Sequence, residues 1–214
     1  MVAPPCRLGY PVALRKALLC GENSASATVF IIPEKLLRRI KMIYLVRQGQ
    51  TDWNLFKRAN GITETFLNQT GIIQAEIQAE NLKDVNFDAC FYSPQKRTQQ
   101  TCEIVYKGQI SFDDRLVEII CGEFEGVEET AEVMKQFWQA ATIGDRGTEK
   151  IDDFMKRTFD FCGMVRDEYK GKNVLIVTHA ANVRGIIYYF LGKPKDYDFN
   201  KTFIGSGELM TFDN

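Results

Sequence analysis

Only one histidine, His179, occurs among the 214 residues, and the six cysteines (Cys6, Cys20, Cys90, Cys102, Cys121, Cys162) include no C-x-x-C pair. Such a set is poor in imidazole and paired thiolate ligands, so neither a zinc site nor any other metal or cofactor is expected. Scattered cysteines read as free thiols of a reducing cytoplasm. Charge of one sign is also missing: 27 basic and 28 acidic residues leave a net charge of −1. No global field therefore favours nucleic acid or a membrane surface as partner. No apolar run approaches the roughly 20 residues needed to cross a bilayer. What is present is ordinary for a globular chain, 45% apolar and 26% charged, with length for one sizeable core.

The apolar periodicity alternates between strand and helix. Ile43–Val46 is a short β-branched and aromatic run suited to a strand buried on both faces. A helix opens at Thr70-Gly71, with Ile72, Ala75, Ala79 and Leu82 on one face. Phe87–Tyr92 reads as a second strand, stopped by Ser93-Pro94, and Thr98, Thr101, Cys102 and Val105 mark the next helix. Glu128–Ala141 sets Val133, Met134, Phe137, Trp138 and Ala141 together, and Gly144–Gly147 turns the chain. The clearest helix is Asp152–Lys170, with a core stripe of Phe154, Met155, Thr158, Phe159, Cys162, Val165 and Tyr169. Val174–Val177 is a buried strand ending at Thr178-His179, followed by a helix through Leu191 and a last strand over Glu208–Phe212. This alternation predicts an α/β layered fold with ligands outside the carboxyl ends of the strands.

Four stretches carry chemistry. Arg47-Gln48-Gly49-Gln50-Thr51-Asp52-Trp53-Asn54 closes the first strand with a planar multi-donor cation and a glycine turn, a natural anion site. Thr51 and Asn54 add neutral donors, though such residues also serve as turn or cap residues. Ser93-Pro94-Gln95-Lys96-Arg97-Thr98-Gln99-Gln100-Thr101 brings a second arginine at a polar helix start. Leu116-Val117-Glu118-Ile119-Ile120 flanks a carboxyl with apolar groups, which raises its pKa as a general acid requires. Leu175-Ile176-Val177-Thr178-His179 ends a strand on the lone histidine.

Taken in order, these stretches resemble the histidine phosphatase superfamily, also called phosphoglycerate mutase-like. Its motifs are Arg-His-Gly-x-Thr-x-x-Asn, Ser-x-x-x-Arg-x-x-Gln-Thr, Leu-x-Glu-x-x-x-Gly-x-x-Glu-Gly and a strand ending in histidine. The resemblance spans residues 42–214 and implies a three-layer α/β/α sandwich around a mostly parallel sheet. It implies phosphate binding by Arg47, Asn54, Arg97 and His179, with Glu118 as proton donor or acceptor. It also implies a cover over the pocket from residues 127–150. Ala180-Ala181 departs mildly from the usual small or glycine pair.

The larger departure is Gln48, which stands where the family motif has its attacking histidine. A neutral imidazole nitrogen offers a lone pair near pH 7, whereas the amide nitrogen of glutamine is delocalised and its oxygen is a poor nucleophile. The expectation is a domain that binds a phosphate monoester, either a small phosphorylated metabolite or a phosphopeptide, with phosphohistidine chemistry impaired or lost. The alternatives are an active phosphomonoesterase or phosphomutase using direct water attack or His179, and a non-catalytic interaction protein with a vestigial pocket. Nothing in the residues sets the oligomeric state.

Residues 1–41 stand apart from the resemblance. They carry Pro4-Pro5, Pro11 and Pro33, a Ser/Ala run, and only Glu22 and Glu34 as acids. A disordered N-terminal arm, a transit-like presequence or a non-native leader all fit this composition. The last reading has translation starting at Met42, because AGG codons for Arg38-Arg39 would form a ribosome-binding site just upstream.

Overall fold

A computed structural model describes residues 41–192 and 205–213. The expectation for residues 1–41 falls, Lys41 aside, outside the described residues, as do Cys6 and Cys20. Five strands form one sheet: β1 (Met42–Arg47), β2 (Ala89–Tyr92), β3 (Ser111–Phe112), β4 (Val174–Thr178) and β5 (Leu209–Asp213), in the order β3-β2-β4-β1-β5. β1 and β2 both run parallel to the central β4, and β3 runs parallel to β2. Only β5 is antiparallel, pairing with β1 from Met42↔Asp213 to Val46↔Leu209. The mostly parallel expectation holds.

Alternate residues of each strand face opposite layers, the period of two that a strand imposes. Ile43, Leu45, Val174, Ile176 and Phe212 pack with Phe161, Cys162 and Val165 of α5 (Ile151–Glu168) and with Val183 and Ile186 of α6 (Ala180–Leu191). Tyr44, Val46, Cys90, Leu175 and Val177 pack on the other face, against Ala75 and Leu82 of α2 (Gln69–Leu82) and Cys102 and Val105 of α3 (Lys96–Val105). That gives the three layers. A third apolar group joins Phe137, Ala140 and Ala141 of α4 (Ala131–Ile143) to Ile119, Phe124, Phe154 and Ala181, seating α4 beside the strand ends.

The elements differ from expectation at their edges. α2 begins at Gln69 because the Asn68 side chain accepts the Gly71 N–H as an N-cap. α4 begins three residues later than expected, because Thr130 caps it by accepting from Val133 N–H, and Glu128 is held in a bridge with Arg58. In α5 the buried stripe is Phe154, Thr158, Phe161, Cys162 and Val165. Phe159, expected in that stripe, is only half-buried against Tyr189. Phe161 takes its place because positions 154, 158, 161 and 165 follow the i, i+4, i+7, i+11 line. Four short elements escaped the periodicity: β3, the four-residue α1 (Asp52–Leu55) and the 3-10 turns Asp114–Leu116 and Gly122–Phe124. Cys90, Cys102, Cys121 and Cys162 are free and buried, in keeping with the thiol reading. Among the described residues no helix is long and apolar enough to cross a membrane.

Candidate active site

β1 and β4 lie side by side and end together, so Arg47 pairs with Thr178, and the next residues, Gln48 and His179, leave the sheet as neighbours. Gln48 N–H still donates to Thr178 O at 2.9 Å. The turn that follows sits directly on the start of α2. A Cβ on Gly49 would lie 2.4 Å from Gly71 O, and one on Gly71 would lie 2.1 Å from Gln50 O. No side chain fits at either position, so the pair of glycines fixes how closely this loop approaches the helix. Gly49 N–H donates to Thr101 Oγ1 at 3.1 Å, and that hydroxyl donates to Arg97 O at 2.7 Å. The first two sequence motifs are thereby joined.

Arg97 is fully buried. Its Nε–H donates to His179 Nδ1 at 3.2 Å, Nη1 to Thr63 O at 3.0 Å, and Nη2 to Gly61 O at 2.7 Å and Asn60 O at 3.3 Å. Of the five N–H groups of a guanidinium, one on Nη1 remains outside these bonds. Because His179 Nδ1 accepts from an arginine, the imidazole proton is on Nε2, which donates to Ser93 Oγ at 2.8 Å. Burial, then the positive charges of Arg97, Arg47 and Arg157, hold the His179 pKa well below its usual value. The ring is neutral, with its lone pair already engaged.

Glu118 is buried beneath the same pocket. Its Oε1 accepts from Ile119 N–H at 2.9 Å, and its Oε2 from Ala181 N–H at 3.4 Å, at the N-terminus of α6. Desolvation raises its pKa, opposed by the Ile119 N–H, Arg97, the Ala181 N–H and Arg47. A carboxyl balanced in this way can hold or release a proton as charge changes nearby. Arg47 is half-buried, and desolvation lowers its pKa against the pull of Glu118. Arg97 is lowered for the same first reason. Both remain cations at neutral pH.

Asn54 serves as the third residue of a capping box on α1. Its Oδ1 accepts from Thr51 N–H and Thr51 Oγ1–H, each at 3.1 Å, and Thr51 Oγ1 accepts Asn54 N–H. That leaves Nδ2 as the donor it can offer. Gln48, like Asn60 in the loop that Arg97 holds, has a buried side-chain oxygen without a hydrogen bond. It is 3% exposed, and its Oε1 is buried with no hydrogen-bond partner among the described residues. An amide turned over would offer Nε2–H at the same place.

Sequence reasoning missed the struts. Gln95 donates through Nε2 to Gly61 O at 2.8 Å and accepts Glu118 N–H at 3.0 Å, tying the loop at 60–63 to the acid. Arg157 of α5 donates to Arg115 O, Val117 O and Glu118 O and forms a two-pronged ion pair with Glu149 at 2.7 and 2.8 Å. Gln95 was inside a quoted motif and could have been marked as buried. Arg157 gave no signal, because the helical pattern alone places it among solvated polar residues. No group of His, Cys, Asp and Glu able to hold a metal ion occurs among the described residues.

Cations, a buried carboxyl and a neutral imidazole converge at the ends of parallel strands. The fold and chemistry agree with the comparisons: residues 43–205 match the histidine phosphatase superfamily (branch 1), and the chain belongs to that family. It is 31% identical over 152 residues to the phosphatase PhoE of Bacillus subtilis, covering 68% of this chain and 75% of that protein. It is 30% identical over 172 residues to the 2-carboxy-D-arabinitol-1-phosphatase of Triticum aestivum, covering 75% of this chain but 34% of that protein. It likewise spans only 39% of an Arabidopsis thaliana relative, 30% identical over 195 residues. Among solved structures, Bacillus stearothermophilus YhfR superposes with a TM-score of 0.69 at 28% identity, over 80% of this chain and 90% of that one.

Proposed function

We propose that residues 42–214 bind a phosphate monoester, a small phosphorylated metabolite or a phosphopeptide, with phosphohistidine chemistry impaired or lost through Gln48. Arg47, Arg97 through its remaining Nη1–H and Asn54 Nδ2 supply the donors, His179 joins them when its Nε2–H turns from Ser93 Oγ to the ligand, and Glu118 supplies the proton. The observation that carries this reading is the position of Gln48. It leaves β1 beside His179 with its amide buried and Oε1 unpartnered, an unmet hydrogen-bonding demand at the strand ends. Turned over, the amide donates to a phosphate oxygen but cannot attack phosphorus. The engaged lone pair of His179 disfavours that residue as a substitute nucleophile. The relatives' names point to the same ligand class, including a metal-independent phosphoserine phosphatase of Arabidopsis thaliana and a phosphoglycerate mutase of Schizosaccharomyces pombe.

A second reading rests on the raised pKa of Glu118. With that acid protonating the leaving oxygen, water could attack phosphorus directly, with acid–base help on the order of 10²–10⁴-fold. Thermal unfolding with inorganic phosphate and simple phosphomonoesters tests the binding claim. A ligand at 100 times its Kd stabilises the native state by about 2.7 kcal/mol, and no shift at millimolar ligand refutes binding. Rapid turnover of a common phosphomonoester by protein free of contaminating phosphatase refutes the loss of chemistry and leaves the second reading standing.

A further inference from the structure

No helix or strand holds Glu118, because the segment 117–121 runs irregularly between the 3-10 turns Asp114–Leu116 and Gly122–Phe124. Buried backbone outside a helix or sheet must find its hydrogen bonds elsewhere, and here side chains supply them. Four successive carbonyls are taken. Arg115 O accepts from Arg157 Nη1 at 2.8 Å, and Leu116 O from Thr178 Oγ1 at 2.9 Å. Val117 O accepts from Arg157 Nη1 at 2.6 Å and Asn182 Nδ2 at 2.9 Å, and Glu118 O from Arg157 Nη2 at 3.2 Å. Three of these five bonds come from one side chain.

That side chain has no donor to spare. Its Nε–H and second Nη2–H go to Glu149 Oε1 and Oε2 at 2.7 and 2.8 Å, so all five guanidinium N–H groups are engaged. The guanidinium also lies 4.8 Å over the Phe154 ring, one turn back on α5. Glu149 grips the far end of the same segment: its N–H donates to Ile120 O at 3.0 Å, and its Oε2 accepts Ile120 N–H at 3.3 Å. The pair is largely buried, with side chains 22% and 12% exposed. A fork held in this way has one geometry, which a mobile surface pair lacks.

We infer that Arg157, braced by Glu149, is the positioning residue of the site, fixing the depth at which the Glu118 carboxyl is held. It acts through the geometry of its hydrogen bonds and not through its charge. Because Glu149 lies in the loop between α4 and α5, the same ion pair ties that loop to the acid. This inference rests on Glu118 as the acid of the phosphate-binding reading above.

The ionisation of Glu118 reports its depth. Burial does most to raise its pKa, while the Ile119 and Ala181 N–H groups, Arg97 and Arg47 lower it. Neutral His179 and the Cys121 thiol are further ionisable neighbours, at the end of β4 and on its own segment. A carboxyl released toward water titrates lower, whereas one that merely loses a nearby cation titrates higher. The two roles of Arg157 therefore predict opposite signs.

Carbon-detected NMR titration of the full chain, with labelled glutamate carboxyls, follows Glu118 without any ligand, and Glu118→Gln assigns its signal. Arg157→Lys keeps the charge but offers three donors on a single atom, and Arg157→Gln loses charge and fork together. The Glu118 midpoint is expected to fall by about one pH unit or more in both variants. An unmoved midpoint in Arg157→Lys overturns the inference, and so does a rise in Arg157→Gln. Should Arg157→Gln fail to fold, Arg157→Lys decides alone. Calorimetry of the native chain with inorganic phosphate keeps the two readings apart: absence of binding ends the phosphate reading, while the carboxyl titration still decides the role of Arg157.

Discussion

The two sides of the site are hydrogen-bonded to different degrees. On the β4 side, Arg97, His179, Ser93, Gln95, Glu118 and Arg157 form a continuous network in which nearly every polar atom is used. On the adjacent β1, Gln48 keeps a buried carbonyl oxygen with no partner. Buried polar atoms are costly unless satisfied, so the two sides answer to different demands. The first holds a shape whether or not ligand is present. The second leaves one hydrogen-bonding demand unmet.

Placing an imidazole at the open corner is the largest perturbation of this contrast. Gln48→His is expected to raise phosphomonoester turnover on the order of 10³-fold or more, since removing a nucleophile elsewhere costs up to about 10⁶. Steady-state rates on both proteins check this, and equal rates would mean that Gln48 does not limit turnover. Cutting the bonded side acts on stability instead. Arg97→Met strands the carbonyls of Asn60 and Thr63 and leaves Gly61 O to Gln95 alone, and a loss of about 3 kcal/mol or more is expected in urea unfolding. A change within experimental scatter would deny the network its structural role.

Asn54 belongs to both sides, and Asn54→Asp separates its two duties. Aspartate still accepts from Thr51 and keeps the cap, so stability is expected to hold within about 0.5 kcal/mol. Replacing Nδ2–H by a negative charge is expected to weaken phosphate binding about tenfold. Unchanged affinity in calorimetry would remove Asn54 from the ligand set. The smallest effect is on pH dependence. His179 is neutral when folded, with its pKa held below the ordinary 6.5. As pH falls through 6.5 the unfolded chain takes up the proton first, so stability, full above that value, declines. From pH 7 to 6 the decline from this group is below about 1 kcal/mol, and His179→Gln should abolish it in paired urea titrations.

The contrast also marks what the sequence could and could not convey. Strands β1 and β4 were legible because they are short apolar runs buried on both faces, and a run of that kind has few other uses. Arg47, Gln48, Arg97, Glu118 and His179 were legible because each ends or follows such a strand, or stands in a motif of set spacing. β3 is two exposed residues, Ser111 and Phe112, paired only with the end of β2, and a pair carries no periodicity. Gln95 and Arg157 are long polar side chains whose partners lie far along the chain. Their destinations are decided by tertiary packing, which local pattern does not encode. The unpartnered Oε1 of Gln48 was invisible for the same reason: a missing hydrogen bond is a property of the assembled pocket.

Phosphoryl transfer to the protein itself probes the central claim with least intervening inference. Native protein incubated with a reactive phosphomonoester such as phenyl phosphate, quenched at alkaline pH and weighed intact, should carry no added phosphoryl group. The Gln48→His protein treated identically should carry one. A phosphorylated native chain, with the group mapped to His179, would contradict the account.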